Sequence, residues 1–203
     1  MASFRTLAAP VRVEIDRIKG SRFVADAAPA ADEAEAEAVV DGVRRDFPGA
    51  SHHCFAWRLD AGRSRAFDDG EPGGTAGAPI LRRLDGKELL YAVVVVTRWF
   101  GGTKLGTGGL VRAYGEAATA ALDAATITER IETARRRVTH AYDHSGPVQG
   151  VVTAFAARTS DARYAGEVSF VAEVALEDAD AFARALVEAT AGKVRVERLA
   201  GGE

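Results

Sequence analysis

The stretch LLYAVVVVTRWFGGTKLGTGGLVRAYGEAATAALDA, from Leu89 to Ala124, carries three patterns in succession. Leu89–Thr97 is apolar throughout and rich in β-branched side chains, which predicts a central strand covered on both faces. The following run, Arg98 to Gly109, is interrupted by glycine and contains no acidic residue, and it predicts a loop. Leu110–Ala124 then places its alanines for a buried helical stripe. A buried strand that passes through a glycine loop into a packed helix marks a mixed helix-and-sheet domain.

Upstream, Val11 to Ala25 predicts two short strands around a turn at Lys19-Gly20. Ala30–Phe47 has apolar residues at helical spacing. Asp32, Glu33, Glu35 and Glu37 sit in its first turns, where the helix dipole favours them, and Pro48-Gly49 ends it. His52–Leu59 alternates as a strand, with His53, Phe55, Trp57 and Leu59 on one face and His52, Cys54, Ala56 and Arg58 on the other. Arg63–Phe67 is its predicted hairpin partner. Asp68–Ala78 reads as a loop and Pro79–Leu84 as a short helix. Downstream, the pattern restarts after a boundary placed between Glu129 and Arg135, giving domains at 1–130 and 135–203. A strand over Arg136–Tyr142, a helix over Ser145–Ala157, a hairpin across Ala165-Gly166, a helix over Asp178–Ala191 and a strand over Val194–Leu199 follow. This βαββαβ order is the ferredoxin-like arrangement.

The chain has 203 residues, 47% of them hydrophobic and 27% charged, with a formal net charge of −3. The apolar fraction excludes a wholly disordered chain, and the longest apolar run is too short to span a bilayer. No membrane association is expected. Arg5, Arg12, Glu14 and Asp16 interrupt any secretory core near the N-terminus. The single cysteine, Cys54, excludes an internal disulfide framework and makes the cytoplasm the expected location. Near-neutral charge argues against a nucleic-acid binder that uses its whole surface, so such binding needs a local patch.

Twelve of the 21 glycines fall in Gly62–Gly86 and Gly101–Gly115, around the central strand. The first cluster contains Asp68, Asp69 and Glu71, three carboxylates that repel one another unless something holds them. Hydrogen bonds from tightly turned backbone N–H groups are the favoured explanation. Magnesium or calcium is the other, although the spacing is not that of a calcium loop. The second cluster joins a strand to a helix, where backbone N–H groups can cradle an anion. Arg98, Gly101, Gly102, Lys104, Gly106, Gly108 and Arg112 are its candidate anion- or nucleic-acid-binding residues, with Trp99 and Phe100 available to stack on bases if exposed. Close backbone packing with both aromatics in the core is the competing reading, and the residues alone leave the two open. No named nucleotide-binding motif threads through the segment. Cys54 shares a strand face with His52, yet the expectation is a buried structural thiol rather than a nucleophile. The cysteine and four histidines lack zinc-site spacing, so no metal and no cofactor are expected. Arg135-Arg136-Arg137 is expected to be a solvated linker edge that can also contact phosphate.

At these clusters the sequence resembles the IMPACT/YigZ family. The resemblance rests on IKGSRF from Ile18, HHCFAW from His52, DDGEPGGTAGAPIL from Asp68 and VVVTRWFGGTKLGTGGLVRAY from Val94. Gly20 interrupts the more usual Lys-Ser-Arg-Phe run, and Trp99 stands where tyrosine is common. The resemblance implies an α+β protein. Its N-terminal half would have the two-layer α/β fold of the second domain of a small-subunit ribosomal protein. Its ferredoxin-like C-terminal half would be similar to the last domain of elongation factor G. It also implies a nucleic-acid- or ribosome-associated accessory factor linked to regulation of translation, with RNA, the ribosome or other translation-associated proteins as partners. Two alternatives stand beside it: a metal-assisted hydrolase or small-molecule enzyme built on Asp68, Asp69 and Glu71, and a protein-interaction module that docks through the C-terminal sheet. Catalysis is the less favoured class.

Overall fold

The computed structural model describes residues 3–199, and the chain divides into two compact units, Phe4–Arg130 and the residues from Ile131 onward together with Ser3. In chain order the first unit contains β1 (Ser3–Leu7), β2 (Val11–Ile18), β3 (Ser21–Pro29), α1 (Glu33–Asp46), β4 (His52–Arg58), β5 (Ser64–Phe67), α2 (Gly77–Gly86), β6 (Ala92–Trp99), α3 (Thr107–Ala124) and β7 (Ile127–Ile131). Five of its strands make an antiparallel sheet in the order β2-β3-β6-β4-β5, with β6 at the centre. The α+β class agrees with the sequence reading.

Strand alternation assigns the two faces of this sheet. Phe23, Ala25, Cys54, Ala56, Val94 and Val96 pack under α2 and α3, together with Ile80, Leu84, Leu110 and Tyr114. On the other face Phe55, Trp57, Val93 and Val95 pack under Val40 and Val43 of α1. The acidic helix α1 therefore covers a second face of the sheet, and the apolar run in β6 is buried on both sides. Asp32 caps α1 by accepting a hydrogen bond from Glu35 N (2.9 Å), and Glu35 Oε2 accepts one from Ala31 N (2.7 Å).

Two details depart from the pattern-based expectation. The central strand begins at Ala92 rather than Leu89, because Tyr91 turns the backbone into the left-handed region (φ 52°). Leu89 instead bridges Arg5 in parallel, and Leu90 N donates to Arg5 O at 2.9 Å. β1 and β7, which no periodicity announces, pair with each other as a two-stranded sheet.

The second unit contains β8 (Thr133–His140), α4 (Ser145–Ala154), β9 (Arg158–Tyr164), β10 (Val168–Ala175), α5 (Ala179–Ala189) and β11 (Arg195–Arg198). Its antiparallel sheet has the order β11-β8-β10-β9, the ferredoxin-like topology. α4 and α5 cover one face through Val148, Val152, Phe182 and Leu186, against Val138, Phe170, Ala172 and Val174. A 3-10 turn, Tyr142–His144, runs directly into α4, whose first residue is Ser145. Arg135-Arg136-Arg137 lies within β8, not in a linker.

Candidate functional site

The two glycine clusters meet through one ion pair. Arg98 is in register with Phe23 and His52, so its side chain points to the α2/α3 face of the sheet, continuing the row of Val94 and Val96. It is only 4% exposed. Its Nη1 donates to Glu71 Oε1 at 2.5 Å and its Nη2 to Ser21 Oγ at 3.1 Å. Tyr114, reaching in from α3, donates its hydroxyl to the same Glu71 oxygen at 2.7 Å. His52 Nε2 stands 3.8 Å away from it. Glu71 thus sits at the centre of a buried polar cluster drawn from the β2–β3 turn, β4, β6 and α3. A buried pair of this kind holds its shape because removing either member strands the other charge.

The other two carboxylates hold the loop itself. Asp68 Oδ2 accepts from Gly74 N (2.8 Å), and Oδ1 accepts from Ala76 N (2.9 Å) and Gly77 N (2.8 Å), at the entrance to α2. Burial works against ionisation here, but the three N–H donors outweigh it and hold the Asp68 carboxyl below its usual range. Asp69 adopts a left-handed backbone (φ 44°) and accepts from His53 N at 2.6 Å. His52 Nδ1 lies 2.8 Å from Asp69 O, and Cys54 Sγ donates to Asp68 O at 3.0 Å. Burial raises the Cys54 thiol far above its ordinary value and does the same to the neighbouring Tyr114 hydroxyl. Cys54 is therefore a protonated structural thiol.

The basic cluster divides. Gly101 presses against the β2–β3 turn: a Cβ there would lie 1.9 Å from Gly20 C and 2.2 Å from Ser21 N. Lys19 (φ 47°) and Gly20 (φ 83°) both adopt positive φ in a two-residue turn closed by the Ile18–Ser21 pair. A register shift between Ile15 and Ile18 lies just before this turn. Gly101 N donates to Ser21 Oγ at 3.3 Å. Trp99 is half-buried, edge-on to Phe47, with the Arg22 guanidinium 4.3 Å above its ring. Phe100 is 50% exposed.

Beyond Gly101 the loop turns outward. Gly102, Lys104, Gly106, Gly108 and Arg112 are exposed, and α3 begins after Gly106 without a side-chain cap. Lys104 and Arg112 have no ion-pair partner among the described residues. The outward positive charge of the segment thus comes from Lys104 and Arg112, while Arg98 is neutralised inside. Tyr114 and Ser21, the other two anchors of the buried cluster, were not singled out by sequence reasoning. Tyr114 carried a signal, being the one polar-tipped aromatic on the buried stripe of the α3 helix.

Comparison with known proteins follows the same two-part division. Residues 19–122 match the Impact N-terminal domain, and residues 138–193 match a domain of unknown function, DUF1949. The IMPACT family member YigZ of Escherichia coli is 46% identical over 119 residues, which span 57% of this chain and 58% of that protein. The IMPACT family member YvyE of Bacillus subtilis is 32% identical over 87% of this chain and 82% of its own. A crystal structure of a hypothetical protein aligns over the whole of both chains, with a TM-score of 0.73 and 30% identity. The motifs that build the Glu71–Arg98 cluster lie inside the matched N-terminal segment, and the chain belongs to the IMPACT family.

Proposed function

We propose that this protein is a cytoplasmic nucleic-acid- or ribosome-associated accessory factor linked to regulation of translation. The observation that carries the reading is the outward part of the loop between β6 and α3. It is free of acidic residues from Phe100 to Gly109, displays Lys104, and leads into a helix N-terminus that no side chain caps. Arg112, on the first turns of α3, adds a second charge with no ion-pair partner among the described residues. Helix N-terminal N–H groups with adjacent cations suit phosphate, and the glycines allow a backbone to approach closely. The family resemblance implies folds similar to domains of a ribosomal protein and of elongation factor G, and that analogy of fold supports an RNA partner.

Fluorescence anisotropy with a labelled RNA hairpin, titrated at several salt concentrations, tests this. Wild type binds with an affinity that falls as salt rises, and Lys104→Ala/Arg112→Ala weakens binding and flattens the salt dependence by about 1.5 to 2 in the logarithmic slope. Absence of binding at 50 mM salt, or binding indifferent to salt, refutes the reading.

A further inference from the structure

The second unit displays a separate charged surface. In an antiparallel sheet, residues in register point to the same side. Val138 and Phe170 are paired and lie under the helices, as do Arg136 and Ala172. Arg136 reaches toward Asp180 of α5 at 3.7 Å. The intervening rows therefore point away from α4 and α5. One row holds Arg195, Thr139, Ser169 and Arg163; the next holds Glu197, Arg137, Val171 and Ser160; the third holds Arg135, Glu173 and Arg158. The Thr139 hydroxyl donates to Ser169 Oγ at 3.3 Å, which confirms that the first row shares one side.

These rows carry five arginines and two glutamates, with Arg158, Arg163, Arg195 and Glu197 exposed and Arg135, Arg137 and Glu173 partly so. Arg195 pairs with Glu167 (3.0 Å), whereas Arg135, Arg137, Arg158 and Arg163 make no ion pair among the described residues. The positive charges are all arginine, whose planar fork matches the two oxygens of a phosphate. Rows two residues apart are separated by about 6.8 Å and strands by about 4.8 Å, so the patch spans roughly 14 Å in each direction. Its apolar member, Val171, is itself buried, so the face lacks the apolar centre a protein interface uses. No aromatic side chain projects from these rows, so it also lacks a platform for stacking single-stranded bases. Charge, spacing and the missing stacking groups together favour the phosphate backbone of a folded RNA helix, gripped by shape rather than sequence.

We propose that this sheet face is an RNA-binding surface in which Arg135, Arg137, Arg158 and Arg163 contact phosphates of a base-paired RNA segment, with Arg195 at the edge. The proposal rests on the RNA reading above and adds a second surface, in the other unit. The probe is a fluorescein-labelled 20-base-pair RNA hairpin, titrated against the full chain, with unlabelled single-stranded RNA and poly-glutamate as competitors. Changing the four arginines together to glutamine should weaken binding at least tenfold at 150 mM salt and lower the logarithmic salt slope by about 3. Glu197→Gln, which removes one opposing charge at an exposed position, should tighten binding about two- to threefold. Lys104→Ala/Arg112→Ala serves as the separate arm for the N-terminal loop. If wild type binds no RNA, both readings fall. If it binds but the four-arginine and Glu197 variants match wild type, the sheet surface is overturned while the RNA reading stands. Competition by poly-glutamate as effective as by the hairpin overturns it too, since that result assigns the face to acidic protein.

Discussion

Glu71 and Arg98 are each close to fully buried as side chains, 4% and 5% exposed, and neither finds bulk water to stabilise its charge. The desolvation cost is offset by their mutual contact, by the Tyr114 hydroxyl and by Ser21, although Arg98 Nε is left without a partner. Such a pair is costly to break and cheaper to replace as a whole. Glu71→Ala, which leaves the guanidinium buried and uncompensated, should cost about 3–5 kcal/mol in urea unfolding. Glu71→Leu/Arg98→Met should cost less than either single change, because no charge is then stranded. A double variant worse than both singles would show that the pair stabilises the fold beyond the removal of stranded charge. Arg98 also shows how far residue-level reading reaches. Its place in a basic, glycine-rich segment suggested an anion contact, but the two-residue period from Val94 and Val96 aims it inward. Only the position of Glu71, from another segment, shows that its charge is met there.

At the level of elements, the two glycine clusters act as joints. Gly77 and Gly101 both sit where a Cβ would collide with backbone: 2.5 Å from Phe67 N in the first case and 1.9 Å from Gly20 C in the second. Neither obstacle is a flexible side-chain tip, so Gly101→Ala must move the β2–β3 turn or the loop. It should destabilise by at least about 2 kcal/mol, in the upper part of the range for overpacking, as a drop in the urea midpoint. Asp68→Ala removes the acceptor for three N–H groups at the start of α2 and should cost about 2 kcal/mol, the high end for a helix N-cap. Asp68→Asn, which keeps one acceptor oxygen, should recover part of that loss. Much of this architecture was legible in sequence. The alternation in His52–Arg58 separated the two cores, the Lys19-Gly20 turn was marked, and the βαββαβ order of the second unit was evident from its patterns. β1 and β7 were not, because their stability comes from pairing with each other across more than a hundred residues rather than from local periodicity. The outward turn of Lys104 was equally hidden, since it depends on the contact between Gly101 and Gly20.

For the whole molecule, a net charge of −3 conceals groups whose titration acts on stability in opposite directions. His53 is held below its ordinary value chiefly by burial, with its bond to Phe47 O working in the other direction. The unfolded chain therefore binds the His53 proton more readily. As pH falls below the ordinary histidine value near 6.5, this favours unfolding. Asp68 is likewise depressed, so its contribution is complete above the ordinary carboxyl value of 3.8 and lost as pH drops through its lower native value. Asp26 behaves oppositely. Burial raises it despite its bond to Arg12, so protonation favours the native state, and its contribution declines as pH rises through its native value. Between pH 7 and 5, His53 is the group among these three whose protonation in the unfolded chain must be opposed by folding. Melting temperature should fall over that interval, and His53→Asn, which cannot take up the proton, should flatten the fall. Below pH 4 the decline should resume, carried by Asp68 and blunted in Asp68→Asn. A melting temperature in the wild type that is flat from pH 7 to 5, or an unaltered slope in His53→Asn, would remove His53 from this account and leave the acid sensitivity to the carboxylates.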